Sequence, residues 1–282
     1  NIVFRDRAAV DNYLNSLYQQ LKDRQEHWHL DLLLISDAHS DNAYAGTTGA
    51  EVVPFENNSI EGSNSVIERD WQRYLEDIAR ANRLIVYIDS VGDNSLSPAL
   101  ISSYKAQAKI FRALVLFDMV RIYGSIPVVM TVAPDITSEN VSEVYPQYFP
   151  KQSTEEEAYK QIEADLLDGL ANAPDNAPTD KTRFSKSVAK ALLAKIYAEK
   201  PIQDYAKVIQ YADALAQDGF DLNPSYADVY QLTADNKDVL QRNTRESILE
   251  AQYFPGAGNW ASWMFGRDLS NYDVNFTWAK WV

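Results

Sequence analysis

Ser97-Pro98 followed by Ala106-Gln107-Ala108-Lys109-Ile110-Phe111-Arg112-Ala113-Leu114 and, at the far end, Arg121-Ile122-Tyr123-Gly124-Ser125-Ile126-Pro127 decides the fold class. The serine can cap a helix, and the proline takes the first helical position, where its missing N–H costs nothing. From there Ile101, Tyr104, Ala108, Phe111, Val115 and Met119 recur at three- and four-residue steps, one face of an amphipathic helix. Gly124 supplies a left-handed residue past the helix end, and Pro127 blocks its continuation.

The same period spreads in both directions. Val10, Tyr13, Leu14, Leu17, Tyr18 and Leu21 form one stripe, and Trp71, Tyr74, Leu75, Ile78, Ile85 and Ile88 form another within 66–90. Ser153-Thr154-Glu155-Glu156 reads as a capping box, serine first and glutamate three later, ahead of Tyr159, Ile162, Leu166 and Leu170. Ser185 opens a helix through Val188, Leu192 and Ile196, and Tyr205, Val208, Ile209, Ala212 and Leu215 mark the next, closed by Gly219. Strand-like alternation is confined to Ser247–Tyr253. The expected fold is all-α, built from tetratricopeptide-like helix pairs that bury their apolar faces on one another. The run from Tyr205 through Asp221-Leu222-Asn223-Pro224 has the flavour of such a unit, without the Trp–Leu–Gly–Tyr signature of a regular repeat.

Composition narrows the function. The net charge of −14 repels phosphate backbones and anionic headgroups, so nucleic acid and basic-patch membrane binding are poor expectations. With no cysteine there is no thiolate catalysis and no zinc–thiolate site. No apolar run approaches the ~18 residues that span a bilayer. The chain opens Asn1-Ile2-Val3-Phe4-Arg5-Asp6, with neither a basic nor an apolar signal region, which reads as an export signal already removed.

Three blocks together resemble a known family. They are Asp70-Trp71-x-x-Tyr74-x-x-x-Ile78-x-x-Ala81-Asn82; Ala106-x-Ala108-x-x-Phe111-Arg112-Ala113-Leu114-x-x-Phe117 leading into Arg121-Ile122-Tyr123-Gly124-x-Ile126-Pro127; and Arg183-Phe184-Ser185-Lys186 with Ala189, Ala191-Leu192-Leu193-Ala194 and Tyr197. Their order and spacing resemble the SusD/RagB family of outer-membrane lipoproteins, from about Phe4 to the end of the chain. The resemblance implies a helical SusD-like N-terminal domain over 1–250 and the start of a truncated, loop-rich C-terminal region over 251–282. It implies a cell-surface glycan-binding protein, not an enzyme, that delivers cargo to a SusC-like TonB-dependent transporter. In that family the membrane is met only through a lipid anchor, whose cysteine is absent from this chain. Read physically, the blocks are core stripes and helix stops, with Arg112 expected to pair with an acid between helices.

Two segments escape the helical period. Residues 36–65 are rich in Asp, Asn, Gly and Ser, and a loop of that length is usually functional or mobile. From Tyr253 the chain is dense in aromatic residues, with Asn259-Trp260-Ala261-Ser262-Trp263 after a Gly-rich turn. The expected ligand surface therefore comprises His39, Asp41, Asn42 and Tyr44 from the first segment and Asn259, Trp260 and Trp263 from the second. Indoles stack on the C–H face of a sugar ring while the polar side chains bond its hydroxyls. No catalytic residue, metal or cofactor is expected. Glu155, Glu156 and Glu157 are consecutive at a helix start, where they complement the dipole and cannot face each other across a glycosidic bond. Two other readings stay open at this level. One is a helical-repeat scaffold that binds only protein; the other is a metal-dependent hydrolase using the His27–His39 region, where His27, His29 and His39 crowd with Asp37 and Asp41.

Overall fold

The computed structural model describes residues 4–24, 26–40, 49–92, 95–235 and 238–252, and 43–44 and 280–281 by their backbone. They divide into two compact units, Asn1–Tyr18 with Glu76–Ala251 and Gln19–Leu75 with Gln252–Val282. The regular secondary structure of the described residues is helical, apart from a two-residue antiparallel pairing of β1 (Ala43–Tyr44) with β2 (Lys280–Trp281) and two isolated bridges.

In the larger unit the central helix is α4 (Pro98–Tyr123), started by Ser97, whose hydroxyl accepts the Leu100 N–H at 3.3 Å. Gly124 stands at φ 71° and takes the left-handed exit that a side chain would oppose. The predicted face is buried from Tyr104 to Met119, Ile101 being half-buried, and so are Ile110, Leu116 and Val120 outside it. A helix apolar nearly all round belongs inside a bundle. Packing follows that logic: α4 lies chiefly against α6 (Glu155–Asn172), α6 also against α7 (Lys186–Ala198), and α7 against α8 (Tyr205–Gln217). On α8, Tyr211 is buried while Tyr205 and Ile209 stay exposed.

Two of the three sequence blocks are tied down by buried polar joints. Arg112 sends Nε and Nη2 to the two carboxylate oxygens of Asp165 on α6, at 2.8 and 2.7 Å, and Nη1 to the side-chain Oδ1 of Asn82 at 2.5 Å. Asn82 in turn donates to the Val129 carbonyl at 2.8 Å. The Arg183-Phe184 pair docks on the start of the chain in a similar way. The Phe184 ring stacks on Tyr18 at 4.9 Å, and its N–H donates to the Tyr18 hydroxyl at 2.9 Å, which donates to Gln107 at 2.7 Å. Arg183 covers the same ring and bonds Asn15 at 2.6 Å.

Two expectations need correction. The capping box sits one residue later than predicted, with Thr154 accepting the Glu157 N–H and Glu157 returning to the Thr154 N–H. Ser153 is not free to cap, because its N–H is bonded to the Ile126 carbonyl at 2.8 Å and the residue belongs to the preceding extended chain. Nor are residues 247–252 a strand. One backbone bond and one side chain hold this stretch instead: the Glu250 N–H bonds the Lys181 carbonyl, and the Glu250 carboxylate accepts the Asn243 N–H, each at 2.8 Å.

Gly169 shows how tightly α4 and α6 meet. A Cβ placed there would lie 2.5 Å from Ile110 Cγ1, an atom next to the backbone of a fully buried, β-branched side chain that cannot swing away. Gly169→Ala is therefore expected to destabilise by about 1–3 kcal/mol, although alanine is the better helix former. A urea midpoint at or above that of the parent chain would show that α4 shifts freely.

Candidate functional site

The smaller unit contains the early polar segment, and the segment is built rather than merely looped. After α1 (Arg7–Asp23), residues Glu26–Asp31 and Leu34–Ala38 wind as π turns. A short helix α2 (Val53–Glu56) follows, and α3 (Ser65–Tyr87) then begins. Leu34, Ala38, Val52, Phe55 and Val66 make a small core, with Ile35, Val53, Ile60 and Ile67 packed on it. The run Val52-Val53-Pro54-Phe55 is thus the apolar anchor inside an otherwise polar stretch.

Over this core lies a surface recess of about 470 Å³ whose walls include Glu51, Ser59, Glu61, Ser63, Asn64 and Ser65. Asn64 fixes the wall: its Oδ1 accepts the Val66 N–H at 2.9 Å and its Nδ2 donates to the Glu51 carbonyl at 3.0 Å. Two carboxylates, three hydroxyls and one amide offer hydrogen bonds to a polyhydroxylated ligand and repel an anion. The size falls within the range of small-molecule sites.

Beneath the recess-bearing segment, a polar cluster joins the first π turn to α3. The fully buried His27 bonds Asp70 through Nδ1 at 2.9 Å, and its ring meets Tyr74 edge to face at 4.2 Å. Arg69 Nη2 reaches both Asp31 oxygens, at 2.8 and 2.6 Å. Burial, reinforced by Arg73, Arg24 and Arg69 and opposed by Asp31, lowers the His27 pKa to about 3. At neutral pH the imidazole is therefore uncharged, and its contact with Asp70 is a hydrogen bond to a carboxylate, not an ion pair. Burial and the neighbouring Asp70 carboxyl raise Asp31 to about 7, against the pull of Arg69.

Residues 2–198 match the SusD-like family described as "Starch-binding associating with outer membrane". The chain belongs to the SusD-like family. A SusD-like protein of Bacteroides ovatus is 23% identical over 280 residues, covering 91% of this chain and 47% of the relative. Two solved structures share the fold. A laminarin-binding SusD-like protein superposes with a TM-score of 0.64 at 24% identity, covering 80% of this chain and 48% of its own. Surface glycan-binding protein A from Bacteroides fluxus gives 0.67 at 21%, covering 91% and 52%. The chain spans about half the length of these relatives.

Of the ligand residues expected from the SusD-like sequence, His39 is exposed just past the second π turn, its N–H on the Asp37 carbonyl. Tyr44 is described by its backbone, which pairs with Lys280, as Ala43 does with Trp281. Asp41, Asn42, Asn259, Trp260 and Trp263 lie outside the described residues. The crowding of histidines in sequence does not persist in space: His27 is buried on Asp70 while His39 faces solvent. Among the described residues no group of three or more His, Cys, Asp and Glu could hold a metal ion. Nor is any described helix long and apolar enough to cross a membrane. Sequence reasoning missed Glu51, Glu61 and the buried Asp31. The signal for Asp31 was present, since it interrupts the apolar run Leu30-Asp31-Leu32-Leu33-Leu34-Ile35.

Proposed function

We propose that this chain is the helical, N-terminal part of a cell-surface glycan-binding protein that captures oligo- or polysaccharide without turning it over. In the full-length protein a lipid anchor holds it at the bacterial outer membrane, and the cargo passes to a SusC-like TonB-dependent transporter. The observation that carries the reading is the SusD-like match across 2–198. The name of one structural neighbour supports a neutral glucan as ligand and that of another a surface glycan.

On this reading the sugar lies along the early segment, where His39, Asp41, Asn42 and Tyr44 bond hydroxyls and Asn259, Trp260 and Trp263 supply an amide and stacking faces. The antiparallel register Ala43↔Trp281 and Tyr44↔Lys280 supports it, because it brings the early segment beside Lys280-Trp281 of the C-terminal stretch. The hydroxyl-rich recess at Glu51 and Glu61 belongs to the same early segment of the chain.

The test is calorimetric titration with laminarin and soluble starch, with product analysis to look for hydrolysis. Stacking one ring on an indole removes roughly 100 Å² of apolar surface, worth about 1–3 kcal/mol. Trp260→Ala or Trp263→Ala should thus weaken binding roughly 5- to 150-fold with the melting temperature unchanged. Unchanged affinity in both variants, or loss of fold in both, places the site elsewhere. Chain cleavage of either glucan overturns the non-enzymatic reading.

A further inference from the structure

Helix α8 carries two apolar faces, and the larger unit uses one of them. Tyr211 is buried, its ring stacked on Tyr197 of α7 at 5.9 Å, and the half-buried Val208 and Leu215 share that face. Roughly a quarter-turn round the helix, Tyr205, Ile209, Ala212 and Ala216 make a second stripe at steps of four, three and four. All of them are exposed, Tyr205 at 58% and Ile209 at 63%. A third strip, of Gln210, Asp213 and Gln217, supplies the polar side that a surface helix turns to water. The exposed apolar stripe is therefore more than a helix with a single neighbour needs.

The stripe fits another helix. Ala212 and Ala216 offer a sugar neither a ring to stack on nor a side-chain hydrogen bond. They do let a second helix axis approach closely, with Tyr205 and Ile209 as the larger side chains beside them. Among the described helices α4 packs on α6, α6 on α7 and α7 on α8, so a helix on this stripe continues an interface that exists. The last member of such an array turns a polar face outward, and α8 leaves an apolar stripe there. The SusD-like relative from Bacteroides ovatus has residues to supply a further member, since the match to this chain accounts for 47% of its length.

We propose that in the full-length protein an amphipathic helix from the part following residue 282 packs along Tyr205, Ile209, Ala212 and Ala216 and extends the array by one member. The inference rests on reading this chain as the N-terminal part of a longer protein. Its consequence is that the helical array is shared between the two halves, and α8 is held on both apolar faces only when the later half is present.

The experiment uses the full-length protein with no sugar present, so its outcome is independent of glycan binding. A full-length sequence that stops close to residue 282 defeats the N-terminal reading itself, whereas the measurements test only the stripe. A benzophenone amino acid at position 209 is photo-activated, and the cross-linked peptides are identified by mass. The expected product is intramolecular and joins position 209 to a peptide beyond residue 282 whose apolar residues follow a helical period. A cross-link within 1–282, a cross-link between two copies, or none at all overturns the proposal. A second measurement guards against loss of docking by the bulky probe. The 282 residues contain no cysteine, so Ala212→Cys and Gln210→Cys each place one thiol on α8, on the apolar stripe and on the polar strip. Both positions are exposed here, so neither substitution removes a packed side chain. Maleimide should label position 212 at least about ten-fold more slowly than position 210, because the covering helix must open first. Equal rates overturn the proposal.

Discussion

Arg112→Leu is expected to destabilise the larger unit by about 3–5 kcal/mol, because it strands the carboxylate of Asp165 in the interface between α4 and α6. Both residues are about 2% exposed, so water cannot replace the lost guanidinium without opening the bundle. Asn82 also loses the donor to its side-chain Oδ1, which helps orient the amide whose Nδ2 holds the Val129 and Thr131 carbonyls. Gln161 alone remains on Asp165, at 3.1 Å, and a neutral amide does not balance an ion. Arg112→Lys should recover only part of the loss, since an ammonium cannot make the forked contact. The double variant Arg112→Leu with Asp165→Leu should be more stable than Arg112→Leu alone, because it removes the stranded charge. Urea midpoints of the three variants decide the matter. A shift under about 1 kcal/mol for Arg112→Leu would mean that Asp165 takes up a proton or finds another partner.

Much of this architecture was legible before any coordinates. The long helices declare themselves through a period of 3.6, and several through an end signal as well: Ser97-Pro98 before α4, Ser185 before α7, and a glycine at φ 71° or 92° after α4 and α8. An arginine amid the apolar residues of α4 has few stable solutions, which is why its pairing with an acid could be anticipated. What local pattern could not supply was the partner. Asp165 lies 53 positions away, and nothing in its own neighbourhood distinguishes it from the other acids of α6. The shifted capping box has the same origin. Ser153 and Thr154 are equivalent as local caps, and the choice between them is made by a long-range bond from Ser153 to Ile126.

The site was less legible, for a different physical reason. Hydrophilic composition marks where a chain meets water, but not which hydroxyls and carboxylates converge. Glu51 and Glu61 face one recess only because Val52 and Phe55 sink into the small core and Asn64 pins the Glu51 carbonyl. His27 and His39 are only twelve positions apart, yet one is fully buried and the other exposed. The pattern that separates them is the apolar run around Asp31, which buries the turn carrying His27. A charged residue inside an apolar run, rather than a cluster of histidines, was the more informative clue.

Phe111→Ala is the second large effect, again about 3–5 kcal/mol, and the reason it should fall high in that range lies in the neighbours. The cost of a truncated core ring depends on how far the surroundings collapse into the space. Among the described residues Phe111 meets the ring of Phe184, with centroids 6.0 Å apart, and Phe184 is poorly placed to move. Its backbone N–H is held by the Tyr18 hydroxyl, its ring is stacked on Tyr18, and Ser185 beside it caps α7. Pulling Phe184 toward the void would break that hydrogen bond and disturb the start of a helix, so most of the cavity should persist. Phe111→Leu keeps much of the volume and should cost under about 1.5 kcal/mol. Phe111→Ala combined with Tyr18→Phe separates the two causes. If the Tyr18 hydroxyl is what prevents collapse, removing it should let Phe184 relax, and the pair should cost less than the sum of the single variants. Strict additivity, or a Phe111→Ala loss below about 1 kcal/mol, would mean that the space around α4 closes by itself and that Phe184 is not the rigid wall its contacts describe.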